Sequence, residues 1–310
     1  MASHKTIFLC WSGTRSKRVA DGLGAALATL WASLGLDWDV EYSPQIAKGS
    51  IWFEQILVNL GRANAAIVCL GAWEWSRLAG WRHWLARALY VLVLAAAMAG
   101  LYSYCRLGEG PSRVQVQPFL GLACLWWSFA LLWIRGYPGS ALLWRSVAVR
   151  SAMGLLILAP AWMAAAFLLS FPRGGLLMVI LIVVVATADI GAYFTGKTWG
   201  RHKLAVRVSP AKTWEGFWGG MLACAVLAGL LWRLLPDQVA HIGLPSVLAV
   251  TLTTALGSVV GDLTVSMVKR ESGVKDSGNL LPGHGGLLDR LDSICCAAPV
   301  FALGLLLAGW

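Results

Sequence analysis

Long runs of apolar residues alternate with short polar connections over most of this chain. From Trp84 onward, seven runs are long enough to cross a hydrocarbon core of about 30 Å, which takes roughly 20 helical residues. This pattern predicts a mainly α fold, a polytopic membrane helix bundle with about seven transmembrane helices. The predicted spans are Trp84–Tyr104, Pro118–Ile134, Ser151–Phe171, Gly174–Thr195, Trp214–Leu235, Leu244–Val268 and Ser293–Trp310.

The first part of the chain has a different pattern. Ile7–Trp11 and Ala65–Leu70 are short strand-like runs, whereas Arg15–Leu34 and Ile51–Leu60 have helical periodicity. The sequence therefore predicts a small partial α/β segment at residues 1–71, ahead of a membrane-embedded domain at residues 72–310. Because the first residues lack the features of a secretory signal, we expect the N-terminus to stay in the cytoplasm.

Composition and charge agree with a membrane protein. Of the 310 residues, 58% are hydrophobic and 13% are charged, and the formal net charge is +10. The basic residues fall between the apolar runs, which favours anionic lipid and nucleotide phosphates as partners and argues against nucleic acid. Three basic connections on one side (around Arg135–Arg150, Lys197–Lys212 and Lys269–Arg290) predict that these loops face the cytoplasm.

Two carboxylates lie inside predicted spans. Asp189 comes eight residues before Lys197, and Asp262 seven before Lys269, which places both about 10 Å inside the membrane. Asp262, Ser266 and Lys269 stand at i, i+4 and i+7, on one helix face. A carboxylate at this depth needs a water-filled cavity, a cation or a metal, and is a functional candidate. An interhelical ion pair is the structural alternative.

Two further carboxylates stand where the last span begins. Asp289 and Asp292 are spaced i, i+3 and can point into a common site with Asp262. These three residues are candidate ligands of Mg²⁺, which binds one or two protein carboxylates and completes its shell with water and substrate phosphates. The alternative is that they are helix N-terminal charges favoured by the macrodipole.

A glycine-rich loop precedes these carboxylates. Gly285, Gly286 and the neighbouring Gly283 surround His284 and let backbone N–H groups approach an anion. Three cations supply countercharge, namely Lys269, Arg270 and Lys275. The loop is a candidate phosphate site, although a glycine cluster of this kind also fits an ordinary turn.

The same residues resemble a known family. The run Ser266, Lys269-Arg270, Lys275-Asp276, Gly278, Leu281-Pro282, His284-Gly285-Gly286, Asp289-Arg290 and Asp292 looks like the complete signature of phosphatidate cytidylyltransferases. The stretches Ala188–Gly220 and Ala72–Gly80 also look like that family.

The resemblance implies transfer of CMP from CTP to phosphatidate, giving CDP-diacylglycerol and pyrophosphate with one or two Mg²⁺ ions. It implies Asp262 and Asp289 as principal metal ligands, and Ser266 and Lys269 as residues of the catalytic site. It implies a homodimer as well. The expected substrate-binding residues are Lys197, Ser209, Lys212, Thr213, Arg270, Lys275, His284, Gly285, Gly286 and Arg290.

The N-terminal segment resembles a different family. Its sequence up to Leu70 looks like the first half of a bacterial Toll/interleukin-receptor (TIR)-like domain, whereas further hydrophobic helices are usual at this place in the cytidylyltransferases. Two alternatives to an active enzyme follow. One is a catalytically impaired fusion that acts as a membrane-anchored signalling or scaffold protein, and the other is an ion-coupled transporter that uses Asp189 and Asp262.

Overall fold

The computed structural model describes residues 5–9, 38–42, 50–107, 112–171, 173–234, 243–280 and 285–309. The chain divides into two units, Met1–Arg62 and Ala63–Trp310. In the first unit, strands β1 (Lys5–Leu9) and β2 (Trp38–Tyr42) pair in parallel, with Lys5 opposite Trp38 and Leu9 opposite Tyr42. Strands were predicted at Ile7–Trp11 and, from the strand-like run DWDVEYS, at residues 37–43, whereas the helix predicted at Arg15–Leu34 lies outside the described residues.

One prediction for the start of the chain is wrong. Helix α1 runs unbroken over Ser50–Ala79, so the helix predicted at Ile51–Leu60 is confirmed but Ala65–Leu70 is not a strand. Four side chains of this stretch are buried at helical spacing, namely Val68, Ala72, Trp75 and Ala79. A short apolar run fits a strand or a helix equally well, and here burial along one helical face decides between them. The helix crosses residue 71, and the domain division predicted there stays a prediction.

The seven predicted spans are confirmed as helices long and apolar enough to cross a membrane. Their bounds are α2 Trp84–Tyr104, α3 Arg113–Gly136, α5 Val147–Leu169, α6 Gly174–Trp199, α7 Trp214–Leu234, α8 Leu244–Glu271 and α9 Leu288–Leu307. A single-turn helix, α4 (Ala141–Trp144), precedes α5. This unit is thus a multi-pass membrane helix bundle.

Burial divides the spans into central and peripheral helices. Half or more of the residues in the most apolar stretch are buried in α5, α8 and α9, but only 17% are buried in α2 and in α7. The peripheral helices expose large aliphatic side chains, such as Leu92 on α2 and Leu222 on α7. Such an outward apolar surface is what a bilayer solvates, so it costs little there.

A small hairpin, a helix cap and one close helix contact position the polar residues. Strands β3 (Lys203–Ala205) and β4 (Ser209–Thr213) pair antiparallel between α6 and α7. Thr213 caps α7, because its Oγ1 accepts a hydrogen bond from Gly216 N at 3.1 Å. Gly261 lets α8 approach α9 closely, since a Cβ atom there would lie 2.4 Å from the carbonyl oxygen of Asp292.

Candidate active site

The first part of the site is an ion pair between β4 and α8. Lys212 Nζ contacts Asp262 Oδ2, and Ser266 Oγ donates to Asp262 Oδ1 at 3.1 Å. The predicted shared face of Asp262 and Ser266 is therefore confirmed. The ion pair itself was not predicted, because its partner comes from a strand rather than from another span.

Lys212 balances more than one carboxylate. Its charge acts on Asp189 of α6 and on Asp292 of α9, and the charge of Asp262 acts on the same two residues. Carboxylates from three helices thus interact electrostatically with one ammonium group, and Lys269 also acts on Asp292. The repulsion between the carboxylates is offset in part by these two lysines.

The second part of the site is built around Asp289, in the first turn of α9. Lys269 Nζ binds Asp289 Oδ1 at 2.8 Å, and both side chains are nearly buried. The backbone N–H groups of Ser277 and Gly286 each donate to Asp289 Oδ2 at 2.9 Å. Asp289 therefore connects α8 and the glycine-rich loop to α9. The N–H of Gly286, which was predicted to bind phosphate, is already bonded to the Asp289 carboxylate.

Glu74, a residue for which no role was predicted, also binds this loop and the start of α9. Glu74 of α1 is 2% exposed, and its Oε2 accepts hydrogen bonds from Ser277 Oγ at 2.9 Å and Leu288 N at 2.8 Å. Its Oε1 accepts from Leu287 N at 3.1 Å. Glu74 thereby satisfies N–H groups at the start of α9, which that helix cannot pair internally. A glutamate within an apolar run was the available sequence signal, since buried carboxylates are rarely incidental.

The remaining predicted residues surround these two clusters. Lys197, on α6, lies near the Tyr193 ring, with Nζ 3.4 Å from the hydroxyl oxygen. Ser209 is half-buried on β4, and Arg270 donates to Val208 O at 3.2 Å. Lys275 and Arg290 are exposed, whereas Gly285 is half-buried with a φ of +83°. His284 and Gly283 lie outside the described residues.

Two cavities lie next to each other, and residues of the first cluster line the smaller one. The smaller, of about 360 Å³, has mostly apolar walls that also carry Asp189, Lys197, Lys212 and Thr213, and we call it the polar cavity after these four residues. The larger, of about 560 Å³, is also mostly apolar; arginines at positions 135 and 207 line it but no described lysine or carboxylate does, and we call it the apolar cavity. The two cavities share three wall residues, namely Leu204, Phe217 and Val259. Ligands bound in the two cavities would therefore lie close together, on either side of these three residues.

Of the three predicted metal ligands, Asp262, Asp289 and Asp292, only some are placed to bind an ion. Among the described residues, no group of three or more His, Cys, Asp or Glu side chains is placed to hold a metal. Asp289 is engaged by one ammonium and two N–H groups, whereas Asp262 and Asp292 act on each other across the first cluster. Magnesium needs only one or two protein carboxylates when substrate phosphates complete its shell, so Asp262 and Asp292 have suitable chemistry.

Fold and site together define an integral membrane protein with lysine and aspartate side chains in the wall of one cavity and two arginines in the wall of a neighbouring one. The model of the Cytidylyltransferase family matches residues 47–308. The chain is 46% identical over 245 residues to a phosphatidate cytidylyltransferase of Pseudomonas aeruginosa, covering 79% of this chain and 87% of that protein. It is 37% identical over 253 residues to one of Haemophilus influenzae, covering 77% and 87%. The chain therefore belongs to the cytidylyltransferase family.

These matches also bear on the start of the chain. The family match begins at residue 47, well before the boundary predicted at residue 71. The TIR-like resemblance of the N-terminal segment finds no support in them. The strand predicted at Ala65–Leu70, on which that resemblance partly relied, is part of α1.

Proposed function

We propose that this protein transfers CMP from CTP to phosphatidate, giving CDP-diacylglycerol and pyrophosphate in phospholipid biosynthesis. The observation that carries the proposal is the pair of neighbouring cavities, one lined by Lys197 and Lys212 and the other by aliphatic side chains and two arginines, which share three wall residues. The two relatives described above bear the name of this activity. Neither the scaffold nor the transporter alternative has comparable support.

The polar cavity suits the nucleotide. Lys197 and Lys212 line it and offer two ammonium groups to a triphosphate, while Thr213 forms part of its wall. Lysine is a compact point charge that binds phosphate without a fixed geometry. When CTP binds, the Lys212 ammonium group would move from Asp262 to a phosphate oxygen. The Asp262 carboxylate would then be free to bind a cation.

The apolar cavity suits the lipid. Aliphatic side chains such as Leu131 and Leu256 would contact acyl chains, and Arg135 and Arg207 would face the phosphate. The ends of α6 and α8 and the starts of α7 and α9 supply the polar clusters. By the positive-inside rule this end of the bundle faces the cytoplasm, where CTP is present, so we propose the inner membrane as its location. The homodimer stays a prediction from the resemblance.

The proposed reaction needs charge neutralisation more than proton transfer. An oxygen of the phosphatidate phosphate attacks the α-phosphorus of CTP, and the bond from that phosphorus to the oxygen bridging the β-phosphorus breaks. Pyrophosphate carries away the electron pair. A phosphate monoester has its second pKa near 6, so the attacking group is largely dianionic at neutral pH without a general base. Lys197, Lys212 and Lys269 are the fixed positive charges that would stabilise the transition state.

We propose Mg²⁺ as the cofactor, held by Asp262 and Asp292 together with substrate phosphates. When bound, the ion would neutralise charge on the reacting phosphates. Asp289 then acts as the residue that holds α8, α9 and the loop together, and contributes to the metal only if Lys269 releases it. Chelation by EDTA should abolish product formation, and added Mg²⁺ should restore it.

The fate of two radioactive labels tests the proposed reaction. Membranes containing the protein are incubated with phosphatidate and CTP labelled at the α- or the γ-phosphorus. CMP transfer puts the α-label in the lipid fraction and the γ-label in soluble pyrophosphate. If the γ-label entered the lipid, the protein would be a lipid kinase. If neither label moved with well-folded protein, the scaffold alternative would take precedence.

A further inference from the structure

A basic cavity lies apart from the clusters described above. It has a volume of about 700 Å³, and its lining includes four arginines, Arg77, Arg82, Arg87 and Arg150, against one carboxylate, Glu271. The end of α1, the start of α2, the start of α5 and the end of α8 meet here. None of the residues assigned to nucleotide, lipid or metal lines it.

Two of these guanidinium groups are fixed by uncharged partners. Arg150 donates to the carbonyl oxygens of Arg145 and Leu78 and to Ser272 Oγ, at distances of 2.7 to 3.0 Å. Arg87 donates to Trp73 O at 2.8 Å and to Ser76 Oγ at 3.1 Å. These bonds orient the side chains but leave their charge unbalanced.

The charges in this cavity are not compensated by carboxylates. Among the described residues, no ion pair joins any of the four arginines to Asp or Glu, and Glu271 bonds to the Tyr137 hydroxyl at 3.4 Å. The like charges of Arg77 and Arg87 act on each other. Positive charges held in one cavity repel one another, which destabilises the protein, and a bound anion would compensate that repulsion.

The position of the cavity indicates where the anion comes from. Trp81, 37% exposed, lines the cavity, and Trp84, 62% exposed, begins α2 three residues further on. Indole groups favour the interface between lipid and water. Basic pockets between transmembrane helices on the cytoplasmic side are suited to anionic headgroups, and arginine binds phosphate oxygens in a bidentate manner.

We propose that this cavity binds the phosphate group of an anionic membrane phospholipid, at a site separate from the one that holds the reacting lipid. A connection to the reacting site exists, since Arg77 Nη2 also donates to Ser277 O at 3.0 Å. Ser277 in turn bonds to both Glu74 and Asp289. The bound lipid would help to fix the loop that carries Ser277.

Direct binding tests this proposal without reference to catalysis. The full chain in neutral detergent is titrated with short-chain phosphatidylglycerol, which lacks a phosphomonoester, and bound lipid is counted by native mass spectrometry. Arg82 is the residue to change, because it is exposed and has no bonded partner among the described residues. Arg233→Glu is the matched control, because Arg233 is an exposed arginine at the end of α7, outside this cavity.

We expect Arg82→Gln to weaken binding about fivefold and Arg82→Glu about twentyfold or more, whereas Arg233→Glu should bind as tightly as the unmodified protein. Thermal unfolding checks that each variant is folded, and Arg82→Gln carries the test if the charge reversal does not fold. Equal binding by the unmodified protein and both Arg82 variants would overturn the proposal. Displacement of the lipid by millimolar inorganic phosphate would also overturn it, by assigning the cavity to soluble phosphate.

Discussion

The carboxylate of Glu74 accepts a hydrogen bond from the backbone nitrogen of Leu288 at 2.8 Å, across 214 positions of sequence. This bond joins the end of α1 to the start of α9, the helix that carries Asp289 and Asp292. Ser277 and Leu287 bond to the same carboxylate. The orientation of the last span therefore depends on a residue outside the signature loop.

Replacing Glu74 should damage both stability and activity. Glu74→Gln places an amide group against three hydrogen-bond donors, and an unsatisfied buried donor costs about 1 to 3 kcal/mol. We expect a loss of about 2 to 4 kcal/mol in the free energy of unfolding in mixed micelles, together with loss of product formation. Glu271→Gln is the control, because Glu271 makes one long bond to Tyr137. Comparable stability of the two variants would contradict a holding role for Glu74.

The Lys269–Asp289 pair should behave as a coupled unit. Removing one member of a buried ion pair leaves the other charge unpaired, at a cost of about 3 to 5 kcal/mol. We expect Lys269→Met and Asp289→Asn each to destabilise the protein by about this amount, and the double variant to lose clearly less than the sum. Unfolding measured for all four combinations gives the coupling energy. Additive losses would mean that the 2.8 Å contact contributes little.

The two adjoining cavities should be separable by kinetics. Leu256→Trp fills part of the apolar cavity, so we expect the KM for phosphatidate to rise about tenfold while the KM for CTP is unchanged. Lys197→Gln removes one ammonium from the polar cavity, and we expect the opposite pattern. Leu222→Trp, on an exposed face of α7, is the control and should change neither. A rise in both constants for either cavity variant would mean that the ligands share one space.

The sequence predicted well what depends on local pattern. All seven spans follow from apolar runs of sufficient length, and the face shared by Asp262 and Ser266 follows from helical spacing. The sequence did not predict the features that depend on contacts between segments far apart in the chain. The partners of Glu74 lie 203 or more positions away, and Lys212 reaches Asp262 from a hairpin. Ala65–Leu70 was assigned wrongly because six apolar residues do not distinguish strand from helix.

Formation of CDP-diacylglycerol from phosphatidate and CTP, measured for the unmodified protein beside Asp262→Asn, tests the central claim most directly. The account predicts product from the unmodified protein and a loss of about a hundredfold or more in the variant, because the carboxylate that pairs with Lys212 and is proposed to hold Mg²⁺ has lost its charge. Unfolding of the two proteins at similar temperature would show that the loss lies in the chemistry. Undiminished product from a folded Asp262→Asn variant would contradict the account.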